Sequence, residues 1–190
     1  MVDYLQVLTY MSIRDEIKAR CDEGRLCKIS PAMPTSPEVR VLYVCPEINR
    51  LLVVGPWADP KQEVRWGRLR ADLDFFIEGG LVQVPTDPRR AGNAYMAQLQ
   101  PASDEVWEIR SRDPKPSLRI FGRFAERDLF IALGWNERPM LGAPTRHEDG
   151  TTPWRDAMVR CITDWRNLFY AYPPLTGSYP YDYLSLCILV

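Results

Sequence analysis

The sequence predicts an α+β domain, and three features carry that prediction. Residues 63–78 place Trp66, Leu69, Leu73, Phe76 and Ile77 at helical spacing. Five short β-prone runs follow, at 81–84, 95–100, 106–111, 118–124 and 129–135, parted by turn residues. A second apolar stripe, Trp154, Ala157, Met158, Cys161, Trp165, Leu168 and Tyr172, starts after the cap pair Thr152-Pro153 and stops at Pro173-Pro174. The expected architecture is an antiparallel sheet of about four to six strands packed against helices, with an N-terminal extension.

The elements follow in chain order. Residues 2–10 are apolar without a decisive period. Ser12 with Asp15 and Glu16 reads as a helix start, Ile13 and Ile17 share a face, and Gly24 is the stop. Residues 30–37, SPAMPTSP, hold three prolines in eight positions, which rules out regular structure there. They are expected to link a helical extension, 1–37 with its linker, to the main domain, 38–190. Residues 39–45 and 51–54 are β-rich around Pro46-Glu47-Ile48-Asn49-Arg50, the pattern of a hairpin. Gly79-Gly80 supplies the left-handed exit of the long helix. Residues 134–152, rich in proline and glycine, are expected as a surface loop. The tail from 179 to 190 is aromatic and then purely apolar, so it docks as a strand or meets a partner, with a second copy of the chain one candidate.

Composition limits the classes. At 190 residues the chain has room for one full core and is marginal for two. Apolar residues make up 46% and charged residues 26%, which is globular usage. The longest apolar runs fall far short of the ~20 residues of a membrane helix. Asp3 interrupts the first apolar stretch, so no secretory signal is read, and a cytoplasmic protein is expected. Five scattered cysteines without a C-x-x-C pair are read as reduced thiols. Neither a metal site nor a cofactor is expected: Asp72, Asp74 and Glu78 do not converge on an ion and read as a solvated face, and no phosphate-cradling glycine loop is present. The net charge of −1 conceals twenty arginines against four lysines. Guanidinium suits phosphate and carboxylate, so anion recognition is permitted.

Side-chain alternation then places the arginines. A four-residue turn at 113–116 pairs Arg110 with Arg119 and Glu108 with Phe121. A similar turn at 125–128 pairs Phe124 with Leu129, Arg123 with Phe130, Phe121 with Ala132 and Arg119 with Gly134. One face then holds Trp107, Ile109, Leu118, Ile120, Phe124, Leu129, Ile131 and Leu133. The other holds Arg110, Arg112, Arg119 and Arg123 around Phe121 and Phe130. Arginine directly opposite arginine disfavours a sheet unless an anion or a carboxylate relieves it. Two readings stay open: a face that holds RNA phosphates and unstacked bases, or one neutralised by Glu108 and acids of a flanking helix.

The glycine-terminated helix at 66–80 is followed by Asp104-Glu105-Val106-Trp107-Glu108-Ile109-Arg110, then Leu118-Arg119-Ile120-Phe121, then Leu129-Phe130-Ile131-Ala132-Leu133. This order resembles the core of the RelE/ParE toxin superfamily, in particular its HigB-like branch, over roughly residues 39–135. The resemblance implies a metal-independent, ribosome-associated mRNA endonuclease held inactive by an antitoxin; ParE-like relatives inhibit gyrase instead. On that reading Arg110, Arg119 and Arg123 are the catalytic candidates, and Arg112, Phe121 and Phe130 hold RNA. The chain departs from the toxic pattern in its near-neutral charge, N-terminal extension, long loop before the last helix and apolar tail. Proton carriers are few. His147 is the sole histidine and falls in the expected long loop, and Tyr181 and Tyr183 read first as packing residues. The rival is a non-catalytic protein-interaction module on the same fold.

Overall fold

The three-dimensional structure, a computed structural model, describes residues 11–53, 60–87, 94–142 and 152–190. Helix α1 (Ile13–Asp22) opens where Ser12 makes a capping box with Asp15, and Gly24, at φ +72°, follows it. Residues 2–10 lie outside the described residues. Strand β1 (Cys27–Ile29) comes next and pairs antiparallel with β2 (Val41–Val44). The proline-rich segment between them carries only turns and bends. The extension thus adds an edge strand to the main sheet.

The hairpin expected around Pro46 is instead helix α2 (Pro46–Val53). Proline at the first helical position gives up no hydrogen bond there. Ile48, Leu51 and Leu52, at i, i+3 and i+4, all turn toward the core. Helix α3 (Pro60–Ile77) buries Trp66, Leu69, Leu73, Phe76 and Ile77 as the periodicity predicts. Gly79 exits at φ +87°.

The main sheet has six strands in the order β1-β2-β7-β6-β5-β4, where β4 is Met96–Gln98, β5 Trp107–Ser111, β6 Leu118–Glu126 and β7 Leu129–Glu137. All its pairs are antiparallel except β2 with β7, which makes the sheet mixed. Strand β3 (Val82–Val84) does not join this meander. It pairs in parallel with the C-terminal strand β8 (Cys187–Leu189), burying Val82 and Val84.

The expected long loop begins later than predicted. Strand β7 runs on to Glu137 and a 3₁₀ turn (Arg138–Leu141) follows; residues 143–151 lie outside the described residues. Helix α4 (Pro153–Leu168) starts at Thr152, whose hydroxyl accepts from the Arg155 N–H at 3.1 Å, and a one-turn helix α5 (Pro180–Tyr183) precedes β8.

The sheet has a core on each face. Helix α3 packs on Trp107, Ile109, Ile120, Phe124, Phe130 and Ala132; α1 and α4 pack on Phe121, Leu129, Ile131 and Leu133. Buried Arg40 ties the pieces together. It donates to the carbonyls of Phe76 (2.9 Å), Gly80 (3.0 Å) and Leu186 (2.7 Å), and it pairs with Asp128. One side chain thus binds three carbonyls, two at the C-terminal end of α3 and one in the tail.

Candidate functional site

The β5–β6 register is the predicted one: Glu108 faces Phe121 and Arg110 faces Arg119. Both arginines turn onto the fully buried Glu108. Arg110 approaches Oε1 at 2.6 Å through Nε and 2.5 Å through Nη2. Arg119 Nε lies 3.1 Å from Oε2, but neither atom has a hydrogen bond, so that contact is Coulombic only. Burial pushes the Glu108 carboxyl up, with Arg110 and Arg119 pulling against it. Glu108 is the relief that opposed arginines require.

The β6–β7 register differs from the expected one. The turn is two residues, Arg127 and Asp128, between paired Glu126 and Leu129, and Asp128 takes a left-handed φ of 61°. Ala125 is an extra residue on β6 and Leu133 another on β7. Phe124 therefore faces Phe130, Arg123 faces Ile131, Phe121 faces Gly134 and Arg119 faces Asn136. The shift sends Phe130 to the α3 side, against Phe124 and Phe76, and sends Leu129, Ile131 and Leu133 to the α4 side.

The six predicted site residues therefore do not share one open face. Phe130 and Phe121 are both buried, Phe121 beneath the edge of Trp154, so neither ring offers a surface for a base. Arg123 is 6% exposed, donates to the Asp104 and Glu105 carbonyls and lies over the Trp165 ring at 5.6 Å. It fastens α4 to the sheet. Arg119 donates to the Leu118 carbonyl at 2.9 Å and lies against Glu108. His147 lies outside the described residues. Tyr181 is exposed and stacks on Tyr179, while Tyr183 is buried against Trp107 and Phe124.

Arg110 and Arg112 do meet at a polar cleft of about 170 Å³ past the end of β5, which they line with Tyr95, Asp113 and two residues of α3, Arg68 and Asp72. Arg112 reaches back to the Ala94 carbonyl at 2.9 Å, and burial together with Arg110 pulls its pKa down. Asp72 is only 9% exposed. Its Oδ1 lies 3.1 Å from Arg68 Nε, while Oδ2 is buried without a hydrogen-bond partner. Desolvation raises the Asp72 carboxyl above its ordinary range despite opposing contributions from Ser111 and Arg68. Tyr95 donates its hydroxyl to the Asp72 carbonyl at 2.6 Å, and burial keeps that hydroxyl protonated.

Asp72, Arg68, Tyr95 and Asp113 went unread as a site. One signal was present: Asp72 stands three residues after Leu69 and four before Phe76, an acid on the apolar stripe of α3 rather than on its solvated face. Asp74, by contrast, is taken up in an ion pair with Arg70 at 3.0 Å.

Compared with known protein families, with curated proteins and with solved structures, the chain matches none. Among the described residues no helix is long and apolar enough to cross a membrane, and no group of His, Cys, Asp and Glu gathers as metal ligands do.

Proposed function

We propose that the chain acts on RNA in the manner its RelE/ParE resemblance implies, as a metal-independent endoribonuclease of the cytoplasm, with the cleft of Arg68, Asp72, Arg110 and Arg112 as its working site. The observation that carries the reading is the desolvated carboxyl of Asp72 beside the cleft's guanidiniums, one oxygen paired with Arg68 and the other, Oδ2, buried without a hydrogen-bond partner. The arrangement of the resembling segments also supports it: helix α3 with its glycine exit, then β5, β6 and β7 side by side.

Metal-free cleavage requires a proton acceptor for the 2′-hydroxyl, cations for the phosphorane charge and a proton donor for the leaving 5′-oxygen. The 2′-oxygen bonds to phosphorus, the bond to the 5′-oxygen breaks, and a 2′,3′-cyclic phosphate and a 5′-hydroxyl result. Arg110, Arg112 and Arg68 supply the cations. Asp72, whose carboxyl burial raises above its ordinary range, is the group placed to take and return the proton.

The test is incubation of the purified chain with single-stranded RNA in excess chelator, following the cyclic-phosphate product. Cleavage lowered about 10²-fold or more by Arg112→Ala and by Asp72→Asn supports the assignment. Folded wild type that neither cleaves nor binds RNA overturns it. Arg112 is the better probe than Arg110 or Arg119, whose removal disturbs the pairing of Glu108.

A second reading rests on a separate observation. Leu81, Leu186, Ile188, Leu189 and Val190 are each 45–56% exposed along the β3–β8 ribbon. Such a strip on an edge suits strand addition by a protein partner, an antitoxin-like chain or a second copy. Light scattering of the chain alone and with a candidate partner, repeated with Ile188→Lys, separates the two.

A further inference from the structure

Next to the polar cleft along α3 lies a second concavity of about 320 Å³, lined by Pro60, Lys61, Val64, Pro114 and Lys115. Its walls are the next turns of α3 and the next residues of the β5–β6 turn. Lys61, Val64, Arg68 and Asp72 follow one another at three- and four-residue steps and so share one side of the helix. Arg112, Asp113, Pro114 and Lys115 form the facing wall. At ~1.5 Å per residue, the eleven steps from Lys61 to Asp72 span roughly 16 Å. The trough is longer than one phosphate group needs.

Charge and chemistry change along it. Five cations (Lys61, Arg68, Arg110, Arg112 and Lys115) line the two hollows against two carboxylates, Asp72 and Asp113, and buried Glu108 behind Arg110 brings the excess to two positive charges by side-chain count. Val64, 62% exposed, with Pro60 and Pro114 forms an apolar floor between the cationic ends. Lys115 is held over the turn by the Arg112 carbonyl at 3.0 Å and keeps its side chain 73% exposed. Cations alternating with apolar contact match a backbone of spaced phosphates with unstacked bases between them. A peptide of acidic residues would leave the apolar floor unused, and paired bases could not reach it.

We infer that the groove between α3 and the β5–β6 turn is the track of an extended single-stranded RNA, with its phosphates at the Arg68–Arg112 and Lys61–Lys115 ends and a base over Val64 and Pro114. The inference rests on the RNA reading of the cleft and extends it from one phosphate to several nucleotides.

The experiment is fluorescence polarisation of the full-length chain with a labelled hexanucleotide RNA and a labelled dinucleotide, with a perfectly paired RNA duplex and a glutamate-rich peptide as competitors. Val64→Glu combined with Lys115→Glu changes two exposed positions, and thermal melting verifies that the variant is folded. The expected result is a hexanucleotide Kd weakened tenfold or more, a dinucleotide Kd unchanged, and loss of both with Arg112→Ala. Wild-type affinity for the hexanucleotide should fall with salt at a log–log slope on the order of −2, as contact with about three phosphates requires. If the double variant binds the hexanucleotide normally while Arg112→Ala does not, the track is overturned and the cleft stands. If Arg112→Ala also binds normally, the cleft reading falls with it. Competition by duplex or peptide equal to that of the single strand also overturns the inference.

Discussion

Arg110 and Arg119 stand opposite each other on β5 and β6, and both lean on Glu108, yet only Arg110 hydrogen-bonds to it. The two contacts differ in kind, so the two arginines differ in energetic weight. Buried carboxylates whose charge is removed leave their partners uncompensated, at about 3–5 kcal/mol. Glu108→Gln should cost that much in urea unfolding at neutral pH. Arg119→Met leaves the bonded Arg110–Glu108 pair intact and should cost clearly less. Equal losses in the two variants would show that the Arg119 contact matters as much as the bonded one.

The cleft makes an opposite demand on stability. Desolvation holds the Asp72 pKa above its unfolded value near 3.9, so the native state retains a proton that the unfolded chain gives up. Stability linked to this group is present below pH ~4 and is lost as pH rises through the folded pKa. Arg68, largely exposed, offsets little of the cost. Asp72→Asn should therefore melt higher than wild type at pH 7, and the gain should vanish toward pH ~3.5. A stabilised but inactive variant is the signature of a site that trades stability for function. Melting that drops at pH 7 would mean that Arg68 and Ser111 outweigh the desolvation.

These two relationships differ in how far the sequence reveals them. The β5–β6 register was legible because Asp113-Pro114-Lys115-Pro116 can only be a turn, and strict alternation does the rest on either side. The β6–β7 register was not, because a two-residue turn with Ala125 as a bulge and a four-residue turn fit the same residues. One extra residue was enough to move Phe130 to the other core. Helix α2 was misread because Pro46 suits a turn and a helix start equally, although Ile48, Leu51 and Leu52 carried the helical period. Of the site, Arg110 and Arg112 were legible from the strand. Arg68 and Asp72 come from a helix 40 residues earlier and join them only through packing, which no local pattern states.

The second bulge has its own prediction. Beside it, Gly122 packs so closely that a Cβ would lie 2.3 Å from the Ile131 carbonyl oxygen and 2.5 Å from Phe130 Cζ. The obstacle includes backbone, which cannot step aside. Gly122→Ala should destabilise by roughly 1–3 kcal/mol through overpacking. Gly134, on the facing strand, has nothing within 4 Å of such a Cβ, so Gly134→Ala should be close to neutral. Chemical denaturation of the pair decides it; similar midpoints would refute the close approach at Gly122.

One hydroxyl is among the anchors of the tail. Tyr183 donates to Glu105 Oε2 at 2.5 Å and accepts from the Gly177 N–H at 2.6 Å, while Gln98 Nε2 holds the same carboxylate oxygen at 3.0 Å. Burial and the neighbouring Glu105 both raise the Tyr183 pKa, so the donor stays protonated over any physiological range. Tyr183→Phe keeps the ring against Trp107 and Phe124 but leaves the Gly177 N–H and part of the Glu105 carboxyl unsatisfied, at about 1–3 kcal/mol. Without its bond from Tyr183, Glu105 loses the first of the groups that oppose its desolvation, so its pKa should rise further. Stability of the variant relative to wild type should then fall most above the acid range. Hydrogen exchange should locate the loss, with the Gly177 amide and the β8 amides exchanging faster while those of β5 and β6 hold. Uniform acceleration across the whole sheet would instead mean that the hydroxyl supports the core as a unit rather than anchoring the tail.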